Sequence, residues 1–355
     1  MNSATKTAHA TAARRHGRIW PFILVLILAG AAAGGVWWQR EQDWRWRWEP
    51  IPMPERVARV PEIWEVDFLA ERLQKTKKVR DAATFLEAAR QVGLERVEVG
   101  GYMLPDKAGP RDLAQIFKAA PALQKVTFPE GFTAAQMAQR LAKNEFTAAK
   151  EFQHLVYPPG RAVSPWEGRL FPDTYLLPHK GTAQELVQRL YDRYKEIVAK
   201  LPKALPRGAK DKPLTLDEVT TLASLVERET SVPAERPLVA GVLMNRLVRK
   251  MPLQCDASVQ YALQRAAAAK GIHEHQIVLR RDYKFPSPYN TYLYRGLPPG
   301  PICNPGEASL RAAAAPQATP YFFYVMSPKL RRHRFAKTFA EHQHNIALAR
   351  RERGD

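Results

Sequence analysis

Leu214-Thr215-Leu216-Asp217-Glu218-Val219-Thr220-Thr221-Leu222-Ala223-Ser224-Leu225-Val226-Glu227-Arg228-Glu229-Thr230 reads as a helix that carries a working acid. Thr215 followed three residues on by Glu218 is a capping-box pattern, so the helix is expected to begin near Leu216. Stepping back from Glu229 by three, four and seven residues gives Val226, Leu225 and Leu222, an apolar stripe at helical spacing. The same steps from Glu227 reach Ser224, Ala223 and Thr220, a small and polar face. A carboxyl group set against Leu and Val loses hydration of its charged form, which raises its pKa and lets it hold a proton near neutral pH. The competing reading is an ordinary helix-end ion pair with Arg228 or Arg236.

Outward from this helix, Ser231-Val232-Pro233 breaks it, and Ala234 to Lys250 is expected as a second helix burying Leu238, Val239, Val242, Leu243 and Leu247. Beyond come Met251 to Tyr261, Tyr289-Asn290-Thr291-Tyr292 and Gly296 to Gly306, rich in proline, glycine, amides and aromatic rings. Such segments read as rigid loops, either plain turns or the walls of a sugar site, where rings stack on sugar faces and amides bond hydroxyls. Tyr321 to Val325 is expected as a buried strand and Glu341 to Arg351 as a closing helix. Upstream, Pro158-Pro159-Gly160 and Trp166 to Tyr175 read as loops lining a cleft, and Thr182 to Ala199 as an amphipathic helix. From Arg56 to about Phe146 short strand-like pieces alternate with amphipathic helices, at Ala82 to Val92, Asp112 to Lys118 and, capped by Thr133, from Ala134 to Leu141; Val97 to Leu104 reads as a strand bent at glycines. The overall expectation is an α+β fold.

Residues 1 to 18 carry Lys6, Arg14, Arg15 and Arg18 and no acid, and Ile19 to Trp38 is free of charge. That run matches the roughly 20 residues a helix needs to cross the hydrocarbon core, with Trp20 and Trp37-Trp38 at the interfaces. The unbalanced positive charge precedes the span, so a cytoplasmic tail, a single-pass anchor and an outward-facing bulk are expected; a cleaved signal peptide ending at the alanines 31 to 33 is the alternative. The chain has 355 residues and 45% hydrophobic content, with 54 basic against 35 acidic residues and a formal charge of +19, which favours an anionic partner: nucleic acid, phospholipid or an acidic polymer. Export would remove nucleic acid from that set. No Cys/His metal spacing, phosphate loop or dinucleotide fingerprint is present, so no cofactor is called for. Cys255 and Cys303 are the only cysteines, and outside the cytoplasm they could pair.

Taken together, Val226-Glu227-Arg228-Glu229-Thr230, Asn245-Arg246-Leu247, Leu253-Gln254-x-Asp256, Tyr289-Asn290-Thr291-Tyr292, Gly296-Leu297-Pro298-Pro299-Gly300-Pro301-Ile302 and Asn304-Pro305-Gly306 resemble the MltG (YceG-like) endolytic murein transglycosylases. The resemblance runs from about Val57 to the C-terminus and includes Val126 to Gly131, similar to the family's LysM-like module, and Phe171 to Tyr175. Cys255 stands where the family usually has Ser or Thr, and Ala257 where it usually has Pro. The chain is thus expected to comprise a cytoplasmic tail (1–18), a transmembrane helix (19–38) and a linker (39–55), read from charge and composition, followed by what the resemblance implies to be a LysM-like module (56–148) and a catalytic domain (149–355), at the inner membrane with the catalytic domain in the periplasm. It implies a lyase that cuts the β-1,4 bond between N-acetylmuramic acid and N-acetylglucosamine of nascent glycan strands and leaves 1,6-anhydro ends, with Glu229 as the catalytic residue. Gln254, Asp256, Tyr289, Asn290 and Asn304 are the candidates for holding the sugar. Partners would be glycan strands, the membrane, and peptidoglycan synthases or division proteins. A non-catalytic peptidoglycan-binding scaffold and a muramidase in which Asp256 assists water are the rival readings.

Overall fold

The computed structural model describes residues 35–158, 164–208, 211–268 and 278–354. They form two compact units, one up to Ala122 and one from Leu123 onward. The expected membrane span lies outside the described residues except for 35–38, and among the described residues no helix is long and apolar enough to cross a membrane.

In the first unit residues 35–48 are helical (α1). Three short antiparallel pairs follow: β1 (Ile51–Pro52) with β6 (Lys107–Ala108), β2 (Val57–Val60) with β5 (Gly100–Met103), and β3 (Trp64–Glu65) with β4 (Arg96–Val97). The strand expected from Val97 to Leu104 is interrupted between β4 and β5, and the Tyr102 hydroxyl closes the gap by donating to the Glu98 carbonyl at 2.9 Å. Helices α2 (Val66–Lys75), α3 (Ala82–Val92) and α4 (Pro110–Lys118) bury Leu69, Phe85, Leu113 and Phe117 around Tyr102. The last of them begins two residues earlier than expected, because Pro110 fits a first turn where a backbone N–H is not needed.

The second unit begins with β7 (Leu123–Thr127), which pairs antiparallel along its length with β8 (Thr174–Pro178). The border between the units at 122/123 differs from the 148/149 boundary expected from the sequence. On the strand pair lie α5 (Ala134–Lys143), α6 (Ala149–Val156) and α7 (Ala183–Val198), around Phe128, Met137, Phe152, Leu177 and Leu186. A second core gathers on α8 (Leu216–Glu229), α9 (Arg236–Val248), α10 (Asp256–Ala268) and α11 (Glu307–Ala314). Strands β9 (Phe323–Ser327) and β10 (Arg332–Ala336) form a hairpin, and α12 (Phe339–Arg353) closes the chain.

The capping box at Thr215 and Glu218 is formed, and α8 starts at Leu216. Every residue of α8 from Val219 to Val226 is buried, so this helix is the axis of its core rather than an amphipathic cover. Its polar face is buried with its hydrogen bonds met: Thr220 and Thr221 donate to carbonyls one turn back at 2.8 Å, and the Ser224 hydroxyl donates to Thr221 O and accepts from Ile302 N–H at 3.0 Å. The Met251–Tyr261 segment, expected as loop, is loop only to Cys255. From Asp256 the chain carries no proline or glycine before Gly271 and is rich in alanine, so α10 forms, with Asp256 in its first turn.

Candidate active site

The two glutamates at the end of α8 have different surroundings. The Glu227 side chain is almost wholly covered; it is ion-paired with Arg236 at 2.9 Å and accepts the Gly306 N–H at 2.9 Å. Glu227 thus takes the ion pair that the sequence leaves open for this helix end. Glu229 is in no ion pair among the described residues and is half-buried. One hydroxyl reaches it, with Tyr324 OH donating to its Oε2 at 2.9 Å. Burial pushes the Glu229 pKa up to about 7; the Tyr324 hydrogen bond works against this, the Asp256 charge adds to it, and the Cys255 thiol and Arg246 charge oppose it. An acid so placed exchanges its proton near neutrality.

The groups around Glu229 are brought in by α9 and by the loop after it. Asn245 Nδ2 donates to the carbonyls of Thr319 and Tyr321 at 2.8 Å, and Arg246 Nε donates to Phe322 O at 2.6 Å. These bonds carry the chain into β9 and set Tyr324 against the acid. Arg246 also donates to Leu253 O at 2.7 Å, fixing the turn that puts Cys255 beside Glu229. On the other side of the hairpin, His333 N–H donates to Glu235 Oε1 at 2.9 Å, and its Nδ1 lies 2.7 Å from Glu235 Oε2. The His333 ring meets the Tyr324 ring edge-on at 5.2 Å.

Gln254 and Asp256 are exposed on either side of the buried Cys255. Gln254 has a left-handed backbone (φ 54°), its N–H donates to Thr291 O at 3.1 Å, and the Thr291 hydroxyl accepts from Cys255 N–H at 2.9 Å. Asp256 accepts hydrogen bonds from Tyr292 OH and, at 3.5 Å, from Tyr283 OH. Those two rings stack on each other, centroids 4.0 Å apart and 11° from parallel. The other expected sugar-binding residues lie inside the fold. Tyr289 is buried against the Tyr261 ring at 4.9 Å. Asn290 is fully buried: its Nδ2 donates to the carbonyls of Tyr283 and Phe285, and its Oδ1 accepts from Tyr292 N–H. Asn304 is also fully buried, donating to Phe132 O and accepting from Leu170 N–H. Asn290 braces the loop that presents Tyr292, and Asn304 ties its own loop to the segments at Phe132 and Leu170; both spend their amide groups on these bonds. Both cysteines are free and buried, Cys303 donating to Ser224 O at 3.4 Å.

Two groups, Tyr324 at the site and Glu167 elsewhere in the same unit, escape a reading of the sequence. Tyr324 is legible there only as one of several aromatics in a strand, because its partner lies 95 residues away. Glu167, within a segment that reads as loop, is a second buried carboxyl. Its Oε2 accepts from Tyr157 OH at 2.6 Å and Tyr261 OH at 3.2 Å, and its Oε1 accepts from Ala134 N–H at 2.9 Å and Asn304 Nδ2 at 3.3 Å. Burial raises its pKa to about 7 against the pull of those donors. It braces α5, α6, α10 and the Asn304 loop from within.

Among curated proteins, the chain is similar to the endolytic murein transglycosylase of Streptococcus pneumoniae, 27% identical over 324 residues, which cover 81% of this chain and 57% of that protein. It is also 35% identical over 179 residues to the endolytic murein transglycosylase of Bacillus subtilis, covering 50% of this chain and 46% of the relative. The matched region thus spans about half the length of these relatives. Among solved structures, a yceG-like protein from Listeria monocytogenes superposes with a TM-score of 0.52 at 27% identity, covering 84% of this chain and 99% of the other. The family model described as the YceG-like family matches residues 58–348, and the chain belongs to that family.

Proposed function

We propose that this chain is an endolytic murein lytic transglycosylase and that Glu229 carries its chemistry. The observation that supports this most strongly is a half-buried carboxyl, held by Tyr324 and free of any ion pair among the described residues, whose pKa stands at about 7. Protonated, Glu229 gives its proton to the glycosidic oxygen as the bond to C1 of N-acetylmuramic acid breaks. As a carboxylate it then takes the proton of that sugar's C6 hydroxyl, whose oxygen bonds to C1. The products are a free 4-hydroxyl on one fragment and a 1,6-anhydro end on the other, and Glu229 is protonated again. One carboxyl suffices because the nucleophile belongs to the substrate. Asp256, exposed with Gln254 beside the acid, is the residue best placed to orient the sugar. The anchor at 19–38, a periplasmic location, a glycan-gripping LysM-like role for the segment 56–148 and association with peptidoglycan synthases or division proteins complete the proposal, on the charge pattern and the family likeness.

The test is mass spectrometry of uncross-linked glycan strands after incubation with the protein, beside Glu229→Gln. Anhydro-ended fragments are expected from the parent, reduced about 10²- to 10⁴-fold in the variant, the usual contribution of a general acid. Reducing ends would replace the proposal with a muramidase that uses Asp256, whose charge already bears on Glu229. Binding without cleavage would leave a scaffold.

A further inference from the structure

The first unit holds a groove of about 680 Å³ between β2 and α2. One wall is the chain from Glu55 to Val60; the other is apolar, with Trp64, Leu69, Leu73 and Phe117, and Arg72 lies over the Trp64 ring at 5.1 Å. β2 is the last strand of its sheet. Leu104 N–H donates to Arg56 O at 2.8 Å, and Val57 stands opposite Met103. Backbone groups alternate in direction along an antiparallel strand, so those of Arg56, Ala58 and Val60 turn toward β5, and those of Val57 and Arg59 turn to the open side. An unpaired strand edge is a ready template for a further strand.

The charges beside that edge are mostly positive. Arg56, Arg59, Arg72 and Lys78 line the groove with a single acid, Glu55. Glu55 takes Lys78 at 2.9 Å and Asp106 takes Arg56, while Arg59 and Arg72 are exposed and in no ion pair among the described residues. We propose that this groove binds an extended acidic segment of a partner protein, which adds to β2 as a strand, bonds to the backbone of Val57 and Arg59, and sets its carboxylates against Arg59 and Arg72. A phosphate or a lipid headgroup would use the cations and leave the strand edge empty. A sugar chain has no peptide groups at the spacing of a strand. The open edge, the apolar wall and the two cations outside any ion pair among the described residues are used together only by a peptide. This site is separate from the Glu229 chemistry and does not depend on it.

The experiment uses the full chain and a fluorescein-labelled ten-residue peptide of alternating glutamate and valine, followed by fluorescence anisotropy. Saturable binding is expected, and Arg59→Glu combined with Arg72→Glu should weaken it at least about tenfold, the scale of losing two charge-assisted contacts. Val57→Pro removes an N–H on the open side and leaves the bonds to β5 in place, so it should weaken binding while the thermal melt stays near that of the parent. A peptide N-methylated at alternate residues should not bind. The proposal is overturned if the N-methylated peptide, or one with lysine for glutamate, binds as tightly as the first. It is also overturned if uncross-linked glycan strands displace the peptide, since the groove would then be a glycan site.

Discussion

At the residue scale, α8 ends in two carboxyls two positions apart with opposite fates. Helix geometry turns Glu227 toward Arg236 and the Gly306 N–H, and turns Glu229 toward Tyr324 and Cys255. This much is legible in the sequence, because the steps back from each glutamate read different faces. The Tyr324 contact is not, since no local pattern relates residues so far apart. Its consequence can be measured. The Tyr324 hydrogen bond favours the carboxylate form of Glu229, so removing it should raise the pKa further above about 7. Cleavage by the parent should decline as pH rises through about 7, where the acid loses its proton. In Tyr324→Phe that decline is expected at higher pH, with a lower maximal rate because the carboxyl is less firmly held. A pH–rate profile of kcat/KM for both proteins checks the sign; a decline at unchanged pH would mean that Tyr324 does not act on the acid.

At the element scale, local signals place most helices to within a residue or two, and long-range ones fail. Thr215, Thr133 and Thr182 each cap a helix where the sequence reading begins one. Helix α10 reads as loop because prolines and aromatics on either side of it outweigh a short alanine-rich run, and β10 has no alternation to mark it. Loss of the Thr215 cap, in Thr215→Ala, should cost about 1 kcal/mol and lower the thermal midpoint by a few degrees. A sharper test lies at the packing of α9. A Cβ at Gly241 would lie 2.1 Å from the Gln317 carbonyl oxygen, which is backbone and cannot swing aside. The same segment is tied to α9 by the Gln317 N–H to Pro237 O bond at 3.0 Å and by Asn245. Gly241→Ala should therefore push the 317–322 segment off the helix, lowering stability by about 2 kcal/mol or more and reducing cleavage as Tyr324 shifts. Gly168 poses the other glycine constraint: its φ is +81° and a Cβ there would fall 2.4 Å from Pro301 Cγ, so it admits no side chain.

At the scale of the whole molecule, the second unit encloses two carboxyls, Glu167 and Glu229, both raised to about 7. In the unfolded chain each would titrate near 4.5, so between about pH 4.5 and 7 the native state binds more protons than the unfolded one. Stability should accordingly fall as pH rises across that window, by up to about 3 kcal/mol for each group. Glu167→Gln should flatten this slope: its amide oxygen can still accept from Ala134 N–H, while its NH2 group can donate to the tyrosine hydroxyls, as the single O–H of a protonated carboxyl can to one of them. Urea denaturation from pH 4 to 8 measures the slope, and a variant as pH-dependent as the parent would remove Glu167 from the account. The α+β class is readable from alternating strand and helix signals; the pairing of β7 with β8 is not, because it joins segments about 50 residues apart that no local pattern relates.

The hairpin of β9 and β10 adds a dimension of time. The hydroxyl that holds Glu229 comes 95 residues after it in the chain, on a strand kept in place by His333 and Glu235. A ribosome makes the chain from its N-terminus, so the acid stays without its partner until the 95 residues that separate them have been made. Chains truncated before β9 are expected to lack the Tyr324 contact and to cleave no glycan. The order of synthesis thus acts as a delay on the site, and an unfinished chain is a harmless one.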